Sequence, residues 1–128
     1  MRTRRWAWIP LDAVLAIHDE QIATHGGIPG VRDLGVIESG LARPRNLLAY
    51  GTPDAAALAA AYTFGLCRNH GFFDGNKRTA WVIAETFLDL NGYTVRASDE
   101  AVVRTMLSVA VGTTPEKELA EWFRSVIE

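Results

Sequence analysis

One stretch near the middle of the chain constrains the fold most: residues 79–90, where apolar side chains cover nearly the whole circumference of a helix. They are Ala80, Trp81, Val82, Ile83, Ala84, Phe87, Leu88 and Leu90. A helix that is apolar on nearly all sides belongs in the interior of a domain. Asn91 and Gly92 then supply a favourable C-terminal cap. We therefore predict a buried helix from about residue 76 to residue 90, surrounded by the other elements.

Helical spacing of apolar residues predicts two helices in the first third of the chain. The first runs from Leu11 to about Thr24 and is followed by residues 25–30, a loop dense in turn-forming residues. Asp33 is a candidate N-cap for the second helix, and Pro44 is expected to end it.

Capping residues indicate three more helices. Asp54 opens an alanine-rich helix to about Asn69, whose small side chains permit close packing against a neighbour. Ser98 caps a helix to about Val111, and Pro115 is expected in the first turn of a last helix through Ile127.

Two short segments have strand character. Residues 5–9 alternate and end at Pro10, and residues 93–96 form a second candidate that could pair with the first. The predicted fold class is therefore mainly α: a bundle of about six helices with a minor β-ribbon. At 128 residues, the chain is long enough for a single domain, residues 1–128, with one core.

Composition excludes several classes of protein. The net charge of −2 lacks the basic excess of nucleic-acid binders, and the Arg2–Arg5 cluster is typical of a solvated chain end. No apolar run is long enough for a membrane helix or a secretory signal, so we expect a cytoplasmic protein with no membrane partner and no direct nucleic-acid partner. The one cysteine, Cys67, allows no intrachain disulfide and is expected in the core.

The segment from His70 to Arg78 (His-Gly-Phe-Phe-Asp-Gly-Asn-Lys-Arg) interrupts the helical pattern and leads into the apolar helix. Helix N-termini attract anions, and Gly75 lets the backbone approach a bound group closely. Lys77 and Arg78 place cations where helix stability favours acids. Such a local conflict is typical of a functional site, and it predicts phosphate binding by Gly75, Asn76, Lys77 and Arg78.

His70 and Asp74 add chemistry to this anion site. A histidine beside a phosphate-binding loop can take the proton of an attacking hydroxyl near neutral pH. Asp74 is a candidate Mg²⁺ ligand, because Mg²⁺ usually binds one or two carboxylates together with substrate phosphates. Phe72 is expected to anchor the loop in the core. We therefore predict ATP-dependent group transfer, with catalytic residues His70, Asp74, Lys77 and Arg78 and with ATP and Mg²⁺ as cofactors.

Taken singly, each of these residues has a simpler interpretation. His70 could be a helix C-cap, Asp74 an N-cap, and Lys77 and Arg78 solvated charges. Their joint spacing within nine residues favours the functional interpretation. A zinc site is excluded because no second histidine or cysteine stands at ligand spacing, and no Walker A pattern is present.

The string His70-x-Phe-x-Asp-Gly-Asn-Lys-Arg-Thr-Ala80 resembles the signature of Fic-fold proteins, and more closely that of the Doc (death-on-curing) toxin branch. The common Fic signature is His-x-Phe-x-Asp/Glu-Gly-Asn-Gly-Arg-x-x-Arg. Here Lys77 replaces the second glycine and Trp81 the final arginine, and both departures are similar to Doc-type members. Residues 26–44 and 87–92 also resemble Doc-family sequence.

The resemblance implies a toxin of a type II toxin–antitoxin module. Such a toxin transfers the γ-phosphate of ATP to a hydroxyl of a protein target such as elongation factor Tu, and thereby arrests translation. It also implies His70 as general base, Asp74 as Mg²⁺ ligand or base-orienting group, and residues 43–52 as the part that contacts the target. Lys77 would favour a different nucleotide orientation from that in Fic proteins that transfer AMP.

A Phd-like antitoxin is the expected inhibitor, because the Ser/Thr-x-x-x-Glu-Gly/Asn string of self-inhibited Fic proteins is missing: Glu118 is followed by Leu119. Two alternatives stay open. One is an AMP transferase of Fic type, in which Lys77 is a tolerated variation. The other is a catalytically silent module that binds a partner, motivated by the missing terminal arginine.

Overall fold

The structure, a computed structural model, describes residues 5–128, and this part of the chain contains six α-helices. They are α1 (Leu11–His25), α2 (Leu34–Ala49), α3 (Ala55–Cys67), α4 (Asn76–Leu90), α5 (Asp99–Ala110) and α6 (Glu116–Val126). The predicted mainly α fold class is confirmed. None of the described helices combines the length and the apolar character needed to cross a membrane. Arg2, Thr3 and Arg4 of the basic cluster lie outside the described residues.

The centre of the molecule is α3, not α4 as the apolar pattern predicted. Eleven of the thirteen residues of α3 are buried, since it packs against α2, α4 and α6. Its many alanines allow these neighbours to come close on several sides. α4 instead buries one face and leaves Glu85, Asp89 and Leu90 exposed. The prediction was wrong because the polar residues Glu85 and Asp89 lie on one side of the helix, which makes α4 amphipathic.

α2 does not end at Pro44 but continues to Ala49. A proline inside a helix removes the hydrogen bond to the carbonyl four residues earlier, here that of Gly40. Gly40 and Pro44 are both buried, and Gly40 lies directly on Gly65 of α3. A Cβ built on Gly40 would lie 2.9 Å from the carbonyl oxygen of Gly65. Packing of two bare backbones thus stabilises α2 across its proline.

The predicted β-ribbon is reduced to isolated bridges. Residues 5–10 have no strand assignment, and residues 93–96 do not pair with them. Val95 instead bridges Ile127 at the C-terminal end of the chain. The side chain of Asn91 takes the place of a partner strand, because it accepts a hydrogen bond from Ala7 N and donates one to Ala7 O.

The helix starts follow the predicted caps with one exception. The side chains of Asp33, Asp54 and Ser98 each accept a hydrogen bond from the backbone N–H three residues later. Pro115 occupies the N-cap position rather than the first turn, so α6 begins at Glu116. The order of elements leaves residues 68–75 as the connection between the central helix α3 and the N-terminus of α4.

Candidate active site

The connection between α3 and α4 is anchored by Phe72, as the sequence predicts. Phe72 is 2% exposed, and its ring stacks on the imidazole of His18 in α1 with centroids 3.7 Å apart and planes 7° from parallel. The side chain of Asn76 closes the turn, because its Oδ1 accepts from Phe72 N at 3.0 Å and its Nδ2 donates to Phe72 O at 2.9 Å. These contacts fix the loop to the first residue of α4.

The loop of residues 26–33, between α1 and α2, holds the other side of the connection. Gly71 O accepts hydrogen bonds from the backbone N–H groups of Arg32 and Asp33, and Phe73 N donates to Gly30 O. Val31 and Phe72 form an isolated antiparallel bridge. The two loops therefore support each other, and the segment that the sequence singled out has a defined backbone.

His70 has the one left-handed backbone among the non-glycine residues that the structure describes, with φ of 50°. This conformation is unfavourable for a side chain with a Cβ, and such strain often occurs at functional sites. Arg32 Nε donates to His70 O at 2.8 Å, which holds the strained peptide in place. The His70 side chain is exposed, so its imidazole is accessible to a substrate. The interpretation of His70 as a helix C-cap is wrong, since Arg68 has that position.

Asp74 is fixed through both its side chain and its backbone. Its Oδ2 accepts from Ile28 N at 2.7 Å, and its carbonyl oxygen accepts from His18 Nε2 at 2.8 Å. This assigns the proton to Nε2 of His18, a buried residue that is 1% exposed. Asp74 is not the N-cap of α4; Gly75 occupies that position.

The N-terminus of α4 has the form of an anion site. Gly75 adopts φ of 76°, which a residue with a Cβ rarely does, and its carbonyl accepts from Thr79 N at 2.9 Å. The backbone N–H groups of residues 76–78 precede this first helical bond and have no acceptor within the helix. The first turn carries no acid, while Lys77 and Arg78 are exposed there. Amides and cations thus converge on one region of solvent.

Among the residues predicted to bind phosphate, Asn76 differs in that its side chain already has hydrogen-bond partners within the protein. Its amide group is buried and engaged with Phe72. Any contact of Asn76 with a phosphate would therefore come from its backbone N–H, while Lys77 and Arg78 have their side chains available. Gly75, Asn76, Lys77 and Arg78 line one pocket at the N-terminal end of α4, and His70 and Asp74 belong to the loop that leads into it.

Asp74 fits a Mg²⁺ ion that arrives with a nucleotide better than a permanent metal site. Within residues 5–128 there is no group of three or more His, Cys, Asp or Glu side chains arranged to hold a metal ion. Mg²⁺ usually needs only one or two protein carboxylates when phosphate oxygens and water complete its coordination. Ile28 N–H binds Oδ2 of Asp74, which leaves Oδ1 as the oxygen that can face such an ion.

Two residues that sequence reasoning missed support the site. His18, a buried residue of α1, holds both Phe72 and the carbonyl of Asp74. The signal in the sequence was a histidine, a polar residue, among the apolar positions of α1 that face the core. Arg32, in the loop of residues 26–33, donates a hydrogen bond to the carbonyl oxygen of His70, which lies 38 residues later in the sequence. Only the tertiary structure reveals that contact.

The segment of residues 43–52 differs from expectation, because its first seven residues belong to α2. Arg43 forms an ion pair with Glu116 and lies over the ring of Phe64. Arg45 lies over the ring of Trp8, 4.9 Å from its centroid. Both arginines are therefore engaged with other parts of the fold, and the target-contacting role of this segment stays a prediction.

Cys67 is buried beside the site, at the end of α3. Burial raises the pKa of its thiol to about 11, although the positive charges of Lys77 and Arg68 act in the opposite direction. The thiol therefore stays protonated near neutral pH and is a poor nucleophile. Its expected place in the core is confirmed.

Comparison with known proteins gives two kinds of match. The model of the Fic/DOC family matches residues 8–88, which include α1 to α3, all but the last two residues of α4, and the whole motif. A protein named Toxin Doc from Mycolicibacterium smegmatis is 45% identical over 75 residues, 56% of this chain and 57% of that protein. Protein kinase doc from Escherichia phage P1 is 34% identical over 114 residues, 88% of this chain and 90% of that protein.

Proposed function

The chain belongs to the Fic/Doc family, on its Doc branch, and from that premise we propose that it is an ATP-dependent phosphoryl-transfer toxin. The observation that carries the proposal is the N-terminus of α4. There an exposed lysine and arginine and three backbone N–H groups stand at the start of the helix that follows the loop carrying the exposed His70. The names of the two relatives, a toxin and a protein kinase, agree with this reaction class.

In the proposed reaction, a hydroxyl oxygen of the target attacks the γ-phosphorus of ATP. The new O–P bond forms as the bond between the γ-phosphorus and the β,γ-bridging oxygen breaks, and ADP leaves. His70 accepts the hydroxyl proton, for which a neutral imidazole is suited near pH 7. The α4 amides, Lys77 and Arg78 stabilise the negative charge on the transferred group.

Asp74 would hold Mg²⁺, which supplies charge neutralisation between the β- and γ-phosphates. The chain's own contribution is positional. Ile28 N–H and His18 hold Asp74, and Arg32 holds His70, so little reorganisation is needed when ATP arrives.

Lys77 supports transfer of a phosphoryl group rather than AMP. At this position the common Fic signature has glycine, and a long cationic side chain fills part of the space that a glycine leaves open. The exposed Lys77 can reach a terminal phosphate, which favours a nucleotide placed with its γ-phosphate near His70. AMP transfer is the competing reaction at the same residues.

The proposed target is a protein hydroxyl, with elongation factor Tu as the candidate that the resemblance to Doc toxins implies. The proposed inhibitor is a Phd-like antitoxin. Support for both comes from family membership alone, so the test of the chemistry precedes the test of the partners.

Incubation with γ-labelled and, separately, α-labelled ATP and Mg²⁺ in a lysate tests the reaction. We expect label on protein only from the γ position, with loss of labelling in His70→Ala and Lys77→Ala. His25→Ala and Lys117→Ala are matched controls, because both replace exposed residues of the same types outside the motif. Labelling of protein from the α position alone would show that the chain is an AMP transferase and not a kinase. No labelling from either position, with an intact fold, would favour the silent binding module.

A further inference from the structure

One buried side chain fixes the orientation of the peptide that joins Asp74 to Gly75, immediately before α4. His18 of α1 is 1% exposed, and its Nε2–H donates to the carbonyl oxygen of Asp74 at 2.8 Å. The carbonyl group therefore points toward α1. This peptide is trans, and the C=O and N–H bonds of a trans peptide point in opposite directions. The N–H group of Gly75 is therefore directed away from α1.

Gly75 is closed off on its α1 side and borders open space elsewhere. A Cβ built on Gly75 would lie 3.3 Å from Cδ1 of Ile22 and 3.7 Å from Nε2 of His18, so α1 packs closely against it. Gly75 also lines, with residues 76–78 of α4, a pocket of about 310 Å³ to which α1 contributes no lining residue. Within residues 5–128, the Gly75 N–H has no hydrogen-bond acceptor. It is therefore an unused donor beside the residues that the proposed function assigns to the phosphates.

The backbone conformation makes this donor part of a group. Gly75 is left-handed, with φ of 76°, and Asn76 begins the right-handed helix α4. Successive residues of opposite hand form a concave nest of backbone N–H groups that binds anions. The nest consists here of the N–H groups of Gly75, Asn76 and Lys77, so it adds one donor from the loop to those of the first turn of α4.

The hydrogen bond from His18 can form in only one of two orientations of this peptide. Glycine adopts positive and negative φ about equally well, so the peptide before Gly75 could turn over at low cost. In the reversed orientation the carbonyl oxygen of Asp74 would face the phosphates and repel them. We propose that His18 is a positioning residue for phosphate binding, because it holds this carbonyl inward and thereby directs the Gly75 N–H toward the phosphates. The inference rests on the proposed function, since it concerns the same ligand.

A role in core packing alone is the competing interpretation of His18, because its ring also stacks on Phe72. The two contacts use different parts of the imidazole: the face meets Phe72, and the Nε2–H edge meets Asp74. His18→Phe keeps an aromatic face and removes the donor. His18→Gln keeps a side-chain N–H donor of similar reach and removes the ring. The two substitutions therefore separate the hydrogen bond from the stacking.

Calorimetric titration of the full chain with tripolyphosphate in Mg²⁺ measures the effect on phosphate binding. We expect His18→Phe to weaken binding about tenfold or more, because the site loses one well-directed hydrogen bond to a charged group. His18→Gln is expected to restore most of this affinity. Val14→Ala is the matched control for lost core packing, because Val14 is a fully buried residue of the same helix, and it should bind as the wild type does.

A spectroscopic measurement on the wild-type chain keeps the test independent of the folding of the variants. Saturation with tripolyphosphate is expected to move the amide proton resonance of Gly75 downfield, whereas that of Gly92, beyond the other end of α4, stays in place. An unmoved Gly75 resonance, or losses of affinity as large in His18→Gln as in His18→Phe, would overturn the positioning role and leave the proposed function standing. Failure of the wild type to bind either tripolyphosphate or ATP would overturn both.

Discussion

Replacement of Asn76 by alanine tests whether this side chain is a structural clasp or a phosphate ligand. In the structure its amide group makes two hydrogen bonds to the backbone of Phe72. Asn76 and Phe72 are 8% and 2% exposed, so water has little access to the groups that the substitution would leave unpaired. The clasp interpretation therefore predicts a large loss of stability, whereas a phosphate ligand could be removed with little effect on folding.

The magnitude follows from these two orphaned groups. A buried N–H or C=O that loses its partner costs about 1–3 kcal/mol. Two such groups cost about 2–6 kcal/mol, and the higher helix propensity of alanine returns roughly 0.5 kcal/mol. Partial entry of water brings the expected loss to about 2–4 kcal/mol. For a chain of this length, that lowers Tm by roughly 8–16 °C.

Thermal and urea unfolding followed by circular dichroism measure this loss. Asn46→Ala is the matched control, because Asn46 is an exposed residue within α2. A surface substitution of this kind is expected to change stability by about 0.5 kcal/mol or less. If Asn76→Ala melts within about 2 °C of the wild type and yet loses ATP affinity, the clasp interpretation is refuted and the side chain contacts phosphate directly.

Three further predictions concern packing and charge. Gly65→Ala is expected to lower the free energy of unfolding by about 1–3 kcal/mol in a urea titration, because the new Cβ would lie 2.9 Å from Gly40 Cα. Gly51→Ala is the control in the same titration, because the nearest atom to its new Cβ would be 3.9 Å away. The guanidinium of Arg124 donates hydrogen bonds to Asp54 and lowers the pKa of this carboxyl. The pair therefore stabilises the fold fully above the usual pKa of Asp, and this stabilisation is lost as the pH falls through the lowered pKa of Asp54. Arg124→Ala should therefore reduce Tm at pH 7 and reduce it progressively less as the pH falls below the usual pKa of Asp, and an equal reduction at neutral and at acid pH would contradict this. Cys67, with its pKa raised to about 11 by burial, is expected to resist iodoacetamide at pH 7.5 in the native protein and to react after denaturation, as mass spectrometry can show.

The strain at His70 is consistent with its proposed role as the general base. Its left-handed backbone is held by the Arg32 side chain and by the neighbouring carbonyl of Gly71, which accepts two backbone hydrogen bonds. These contacts hold the backbone of His70 in a defined position in the loop that leads into α4. The contacts of the surrounding loop offset the energetic cost of this backbone conformation, and the side chain remains exposed.

Local sequence patterns determined most of the helices and the place of the loop that carries the proposed site. Caps at Asp33, Asp54 and Ser98 gave helix starts because a short polar side chain satisfies amides within its own turn. The motif from His70 to Arg78 is nine residues long, so the sequence alone shows that its chemical groups come together along the chain, just before and within the first turn of a helix. Its anion-binding form, with Gly75 at the cap and Lys77 and Arg78 in the first turn, was visible without a structure.

The tertiary structure alone decided which helix is central, how α2 continues through Pro44, and what holds the loop. Each of these depends on contacts between residues far apart in sequence, such as Gly40 with Gly65, Asn91 with Ala7, and His18 with Asp74. The spacing of apolar residues along the sequence shows how apolar each face of a helix is, but it does not show which face a neighbouring helix covers. The sequence by itself thus determined the chemistry that the α4 N-terminus can carry, and the packing of α1 and of the loop before α2 decided how rigidly it is held.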